Sequence, residues 1–362
     1  RNKRPRRPMV FGEHFPSVTD LLTASPTVAT QSSLMLLHAL FWFNFINIAA
    51  KHVFEPWVAS KGWCQQWTEL HRRTFKDSFF VELKTDKEVF VFACLFLAII
   101  TQHAVGGALC APSVFPTIFG FIQPATASAL ARQGALCEAG WELQDIATRL
   151  YQILLGGPAG RARNPKPLVM LMVLHHTMGL SMVGPMNIHY GHNMLYHELI
   201  FLLQFAAFAA LLSQNYGYTL DVKTKDGLWQ MKVCVSFTLL VMLWSRVIRF
   251  SWVCALLFLK LYADGGGMTN NMVAMGMVAI ATMFMLNVLF ALDSIGKFTK
   301  FIKMSHKEGH EKVQAALTRA SSSMRLDLHL PFSSTEWTKV RALVKMGVLK
   351  EGTNDNSDKK TK

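Results

Sequence analysis

The amino-acid sequence predicts an all-α, polytopic transmembrane helical bundle, and three observations carry that prediction. Hydrophobic residues make up 51% of the 362 positions and charged residues only 17%, a balance too apolar for an ordinary soluble domain of this length. Apolar runs long enough to cross about 30 Å of hydrocarbon recur along the chain with polar breaks between them. None of these runs alternates with period two, and a bilayer core holds no water to satisfy stray backbone groups, so the runs read as helices rather than barrel strands.

From the N-terminus, residues 1–32 read as a basic extramembrane arm, with five of its first seven residues Lys or Arg. The opening forty residues are rich in Ser and Thr and poor in acids. That composition fits the remnant of an organellar presequence or, the preferred reading, a plain basic tail of a secretory-pathway protein. Residues 33–54 form the first transmembrane helix, set somewhat apart, with Asn44 and Asn47 on one face. Residues 55–87 are a polar connector whose Trp57, Trp63 and Trp67 suit an interfacial belt or a small extramembrane subdomain. The main bundle follows at residues 88–303, with spans at Glu88 to Ala111, Leu168 to Met186, Met194 to Leu212, Met231 to Tyr262 and Asn271 to Phe301. A further crossing falls between Val114 and Ala131, or is split with Trp141 to Leu155. The count is therefore six to eight spans, with seven preferred. Turn residues and charge mark loops at 156–167, 213–227 and 263–271. Residues 304–362 read as a soluble basic tail, whose segments 306–321 and 335–350 carry apolar residues at helical spacing suited to a membrane surface or a partner.

The net charge of +14 gathers at the two ends. In a membrane protein such charge is a topology and anionic-lipid signal, and no nucleic-acid motif accompanies it. Basic residues at both ends ask for an even number of spans, whereas seven would put the ends on opposite sides. The implied partners are membrane lipids and, through the arm and the tail, other subunits of a membrane complex; nucleic acid is not among them. The six cysteines lack CxxC spacing and imply neither a disulfide framework nor a zinc site. The nineteen methionines read as adaptable packing, and Asn270, Asn271 and Asn287 as bonds across helices.

A titratable group inside a span is costly enough to be a functional candidate by default. Four groups qualify: His175 with His176, Glu198, Arg246 with Arg249, and Asp145 with Glu142 three residues before it. Their charges match, Arg246 with Glu198 or Asp145 and a histidine between them, which would offset the several kcal/mol that an unpaired buried charge costs. The plainer reading is a structural polar network that holds helices in register. His189 and His192 read as a bend or interfacial loop with water-exposed imidazoles and His197 flanks Glu198, while His38, His52, His71 and His103 stand alone. On this reading the chain carries no metal and no bound cofactor.

The order of these elements resembles the TLC-domain family. The match reads as Gly140, Trp141 and Asp145 for a Gly-aromatic-Asp element, then the intramembrane pair His175 and His176, then Glu198 opening an apolar helix, then Arg246 in a span rich in aromatics. It covers residues 88–303, about 60% of the chain. The resemblance implies a helical bundle around a cavity for an acyl chain or a sphingoid-like lipid, in the endoplasmic reticulum or another internal membrane, with the mitochondrial inner membrane as second choice. In ceramide synthases, members of this family, the double histidine is thought to be catalytic and acyl-CoA is the acyl donor. This chain departs from them after the histidines: NMLYHELIFLLQ stands where they carry paired aspartates, which points away from ceramide synthesis.

The leading expectation is therefore a membrane protein that binds or modifies a long-chain lipid in a pocket lined by Asp145, His175, His176, Glu198, Arg246 and Arg249. If it is an enzyme, His175 and His176 are its catalytic residues and acyl-CoA its co-substrate in an N-acyl transfer. The alternative is a non-catalytic accessory subunit of a larger membrane complex; a histidine-metal lipid oxygenase comes last.

Overall fold

The computed structural model describes residues 16–264 and 270–305, and within them the chain forms helices and turns with no strand. In order the helices are α1 (Val18–Leu22), α2 (Val28–Ala49), α3 (Glu55–Ala59), α4 (Cys64–Phe79), α5 (Asp86–Val114), α6 (Pro124–Leu155), α7 (Gly157–Arg163), α8 (Lys166–Tyr190), α9 (Met194–Gly217), α10 (Lys225–Met242), α11 (Arg249–Asp264) and α12 (Asn270–Lys303). Two π-helical turns, Ala50–Phe54 and Leu243–Ile248, join α2 to α3 and α10 to α11 without breaking them.

The starts of these helices are written locally. Thr27, Thr85, Asn193 and Thr224 sit in extended backbone just before α2, α5, α9 and α10, and each side chain accepts from a backbone N–H of the first turn. At α5 the cap is reciprocal, since Glu88 reaches back to the backbone of Thr85. Pro124 opens α6 and Pro167 stands in the first turn of α8, where a missing N–H costs nothing.

Six helices are long and apolar enough to cross a membrane: Val28–Ala59, Asp86–Val114, Lys166–Tyr190, Met194–Gly217, Lys225–Ala263 and Val273–Lys303. Their outward faces carry large apolar side chains in the open, among them Leu36, Leu40 and Phe41 on α2 and Trp229, Phe237, Leu240 and Trp252 along α10 and α11. Water would penalise such a surface; lipid does not. The chain is a membrane-embedded helical bundle.

The structure redraws several expected boundaries. The seventh long helix is α6, one unbroken helix of 32 residues rather than a crossing split around Trp141. Its polar residues keep it from qualifying as an apolar span, and it lies at the centre of the bundle against α2, α5, α8 and α9. A helix enclosed by other helices can carry charge that a lipid-facing one cannot. The first span begins earlier than Ser33 and is not set apart, because α2 packs along α6. Gly140 lets them close: a Cβ there would lie 2.4 Å from the Cβ of His38 and 2.8 Å from the backbone nitrogen of Ala39. The end of the arm also docks on the bundle. Arg132 donates to the carbonyls of Thr23, Ala24 and Gly191, and Gln133 donates to that of Leu21. The connector 55–87 folds into α3 and α4, with Trp67 buried, and most of the expected loop 156–167 is the short helix α7. Residues 1–15, the centre of the loop at 263–271, and the tail helices at 306–321 and 335–350 lie outside the described residues, as do the side chains of Asn270 and Asn271.

Two large apolar clusters and a smaller third around Leu228, Met231 and Phe301 hold the bundle. Of the large two, one gathers Trp42, Trp67, Phe75, Trp141 and Tyr218 between α2, α4, α5, α6 and α9; the other gathers Leu136, Leu202, Phe250, Leu257 and Leu261. The polar site lies between these two. All six cysteines are free thiols.

Candidate functional site

On α6 the residues Glu138, Glu142, Asp145 and Arg149 recur at three- and four-residue spacing, which stacks them on one face of the helix. That face meets α5, α8 and α9. Glu138 is met by two amides: Gln102 Nε2 donates to its Oε2 at 2.9 Å and Gln204 Nε2 to the same oxygen at 2.8 Å. His103 Nδ1 lies 2.9 Å from Gln204 Oε1 and 3.4 Å from Glu138 Oε2. The reading of His103 as a lone histidine is therefore corrected.

One step along the face, Asp145 accepts from Arg149 Nε at 2.6 Å and lies 3.0 Å from His176 Nε2. An imidazole nitrogen hydrogen-bonded to a carboxylate carries the proton, so Nε2 donates to Asp145. The His176 Nδ1 is buried with no hydrogen-bond partner and faces Glu142 Oε1 at 3.7 Å. Glu142 Oε2 is buried and without a partner too. The Glu142 carboxylate lies against α8 because residue 179 is glycine, where a Cβ would stand 2.0 Å from Oε2. The Trp141 ring packs edge-on to His176, with centroids 5.1 Å apart.

A cavity opens beside this cluster, with roughly 1040 Å³ of unfilled space including its mouth. Glu138, Glu142, His103, His175, Gln204 and Arg246 line its polar end; Met178, Met182, Leu199, Leu203, Ile280 and Met283 line its apolar length. A second cavity, with about 1080 Å³ of unfilled space including its mouth, lies across α6, lined by the polar Gln144, Asp145, Arg149 and Asn164 and the apolar Phe43, Phe96 and Ile99. His176 lines neither, yet its two nitrogens reach one carboxylate from each.

The structure brings Asp145, His175 and His176 into one cluster with Arg246 at the head of the first cavity, and it corrects the expected pairings. Arg246 donates to Asn287 Oδ1 at 2.8 Å and to the Leu203 carbonyl at 2.9 Å, rather than to Glu198 or Asp145, while its Nε stays buried without a partner. Arg149 is the partner of Asp145. Glu198 pairs with Arg249, whose Nη2 donates to Oε2 at 2.9 Å, and neither lines either of these two cavities. The two arginines do not share a face because the π turn over Leu243–Ile248 is wider than an α turn and splays them: Arg246 is 7% exposed and the Arg249 side chain 41%. His197 is used up structurally, its Nδ1 2.7 Å from Ser113 Oγ and its Nε2 3.1 Å from the Gly191 carbonyl. The residues that sequence reasoning missed, Glu138, Gln102 and Gln204, carried a signal: Glu138 continues the one-face spacing of Glu142, Asp145 and Arg149.

Comparisons with known protein families, with curated proteins and with solved structures find no match to this chain.

Proposed function

We propose that this chain holds a long-chain lipid in the first cavity, in the manner the TLC-domain resemblance implies, with the lipid head at Glu138, His175 and Arg246 and its tail among the methionines and leucines of α8, α9 and α12. The observation that carries the reading is the shape of the polarity: a cavity apolar along its length and polar at one end, inside a bundle whose outer face meets lipid. Arg246 adds to it. A buried guanidinium with a bare Nε is costly, and a lipid oxygen or headgroup anion would satisfy it.

Most of the residues that carry the resemblance lie close together, since Trp141, Asp145 and His176 touch and His175 and Arg246 line the same cavity, while Glu198 pairs with Arg249 away from it and Gly140 packs on α2. Asp145 holds His176 in the tautomer a general base needs, so proton transfer is chemistry this site has available. The host membrane we assign is the endoplasmic reticulum or another internal membrane.

Photolabelling tests this reading. The full chain in mild detergent is incubated with a photoactivatable long-chain amine or fatty acid, irradiated and digested. Labelled peptides should include Met178–Met186 of α8 and Ile280–Met283 of α12. Label found solely on outward residues such as Leu37 or Trp229 would overturn the assignment.

A further inference from the structure

Across the described residues, one cluster of metal-ligating side chains from different helices closes on a common point: Glu142 of α6 with His175 and His176 of α8, whose potential ligand atoms all lie within 4.8 Å of one another. We propose that these three residues bind a divalent transition-metal ion, through Glu142 Oε2, His176 Nδ1 and an imidazole nitrogen of His175.

Four observations support the site independently of any lipid. First, two of its ligand atoms are otherwise unexplained: Glu142 Oε2 and His176 Nδ1 are buried with no hydrogen-bond partner, and such groups are rare unless something satisfies them. Second, the set is chemically apt. Two imidazoles and one carboxylate with a remaining open position suit zinc or ferrous iron, whereas magnesium and calcium call for oxygen ligands. Third, the supporting residues are in place. A metal-bound histidine almost always donates its other nitrogen to a carboxylate, and here His176 Nε2 faces Asp145 Oδ2 at 3.0 Å, with Arg149 holding that carboxylate in turn. Fourth, the charge balances: Glu138 and Glu142 stand within the same polar cluster, and a dication beside them offsets the cost of burying two carboxylates.

The geometry needs only a small adjustment. Bonds of about 2.0 Å in a tetrahedron put neighbouring ligand atoms about 3.3 Å apart. Glu142 Oε1 lies 3.7 Å from His176 Nδ1, close to that separation, so turning the Glu142 carboxylate to present Oε2 and rotating His175 would complete the closure. Glu142 and His175 both line the first cavity, so the open coordination position faces the lipid-sized space.

The test reads metal alone and separates its own failure from that of the lipid reading. The full chain is purified in mild detergent without chelators and assayed for zinc and iron by elemental analysis. It is then stripped and titrated with zinc chloride against a chromophoric chelator. The site predicts about one zinc or iron per chain and zinc binding tighter than about 1 μM. Glu142→Gln and His176→Ala each weaken that binding at least about tenfold, and Asp145→Asn weakens it by about 10- to 100-fold through the tautomer of His176. His189→Ala with His192→Ala leaves it unchanged. Should Glu142→Gln or His176→Ala fail to fold, cobalt titration of the stripped wild type decides, since a tetrahedral nitrogen and oxygen site produces visible absorption bands. Zinc binding equal in wild type and Glu142→Gln, or a wild type without metal, without micromolar zinc binding and without cobalt bands, would overturn the proposal.

Discussion

His71 on α4 sits outside the spans, ringed by Trp67, Phe75 and Tyr218, with its Nδ1 donating to the Trp67 carbonyl at 3.0 Å. Burial drives its pKa down to about 4. Between about 6.5 and 4 the unfolded chain takes up a proton that the folded chain refuses, so stability falls with pH across that window and is flat above it. The cost by pH 4 is on the order of 3 kcal/mol. Melting of wild type and His71→Gln in detergent from pH 7.5 to 4.5 should show a decline that the variant lacks. At the arginines the contrast is in what each leaves behind. Arg249→Ala removes the partner of Glu198, whose side chain is 15% exposed within the bundle, and an unpaired carboxylate there should cost about 3 kcal/mol or more. Arg246→Ala leaves Asn287 Oδ1 bare, while the Leu203 carbonyl keeps its bond within α9, and should cost about 1–3 kcal/mol. Equal melting temperatures for the two variants would refute this ordering. Sequence spacing could nominate Arg246, Glu198 and Asp145 but not pair them, because pairing depends on the direction each helix face takes. The π turn that separates Arg246 from Arg249 has no local sequence signature.

For whole elements, the apolar spans were legible because hydrocarbon imposes length and composition on them, and all six expected spans fall within long helices of the structure, with α2 starting earlier than Ser33. The middle helix α6 was not legible as a span, because a helix walled by others is free of that composition rule. Its one-face acids, Glu138, Glu142 and Asp145, are what such enclosure permits. Contact between α2 and α6 rests on Gly140, and Gly140→Val should separate the helices and lower stability by about 1–3 kcal/mol. Gly184 on α8 is the control, since a Cβ there meets nothing within 4 Å. Gly184→Ala should be neutral or stabilising by up to about 1 kcal/mol, as alanine favours helix. Thermal melting of the pair checks both, and a tolerated Gly140→Val would mean that the helices are not held by this approach.

The molecule as a whole combines an outer surface suited to lipid with an inner cavity whose polar end is built from five of its helical segments: His103 of α5, Glu138 and Glu142 of α6, His175 of α8, Gln204 of α9 and Arg246 of the π turn. Fold class and three titratable residues of this end, Glu142, His175 and Arg246, could be read in the chain, while Glu138 and the role of His103 were missed and the cavity itself could not be read, since empty space is a property of packing and leaves no residue pattern. The central claim is that this space holds a long-chain lipid, and native mass spectrometry of the full chain tests it most directly, with Ala279→Phe filling the apolar wall. Wild type should carry about one long-chain lipid per chain, and the variant, with its melting temperature kept, should lose it by at least about tenfold, equal to 1.4 kcal/mol of binding. A folded wild type free of lipid, or equal lipid in both proteins, would contradict the account.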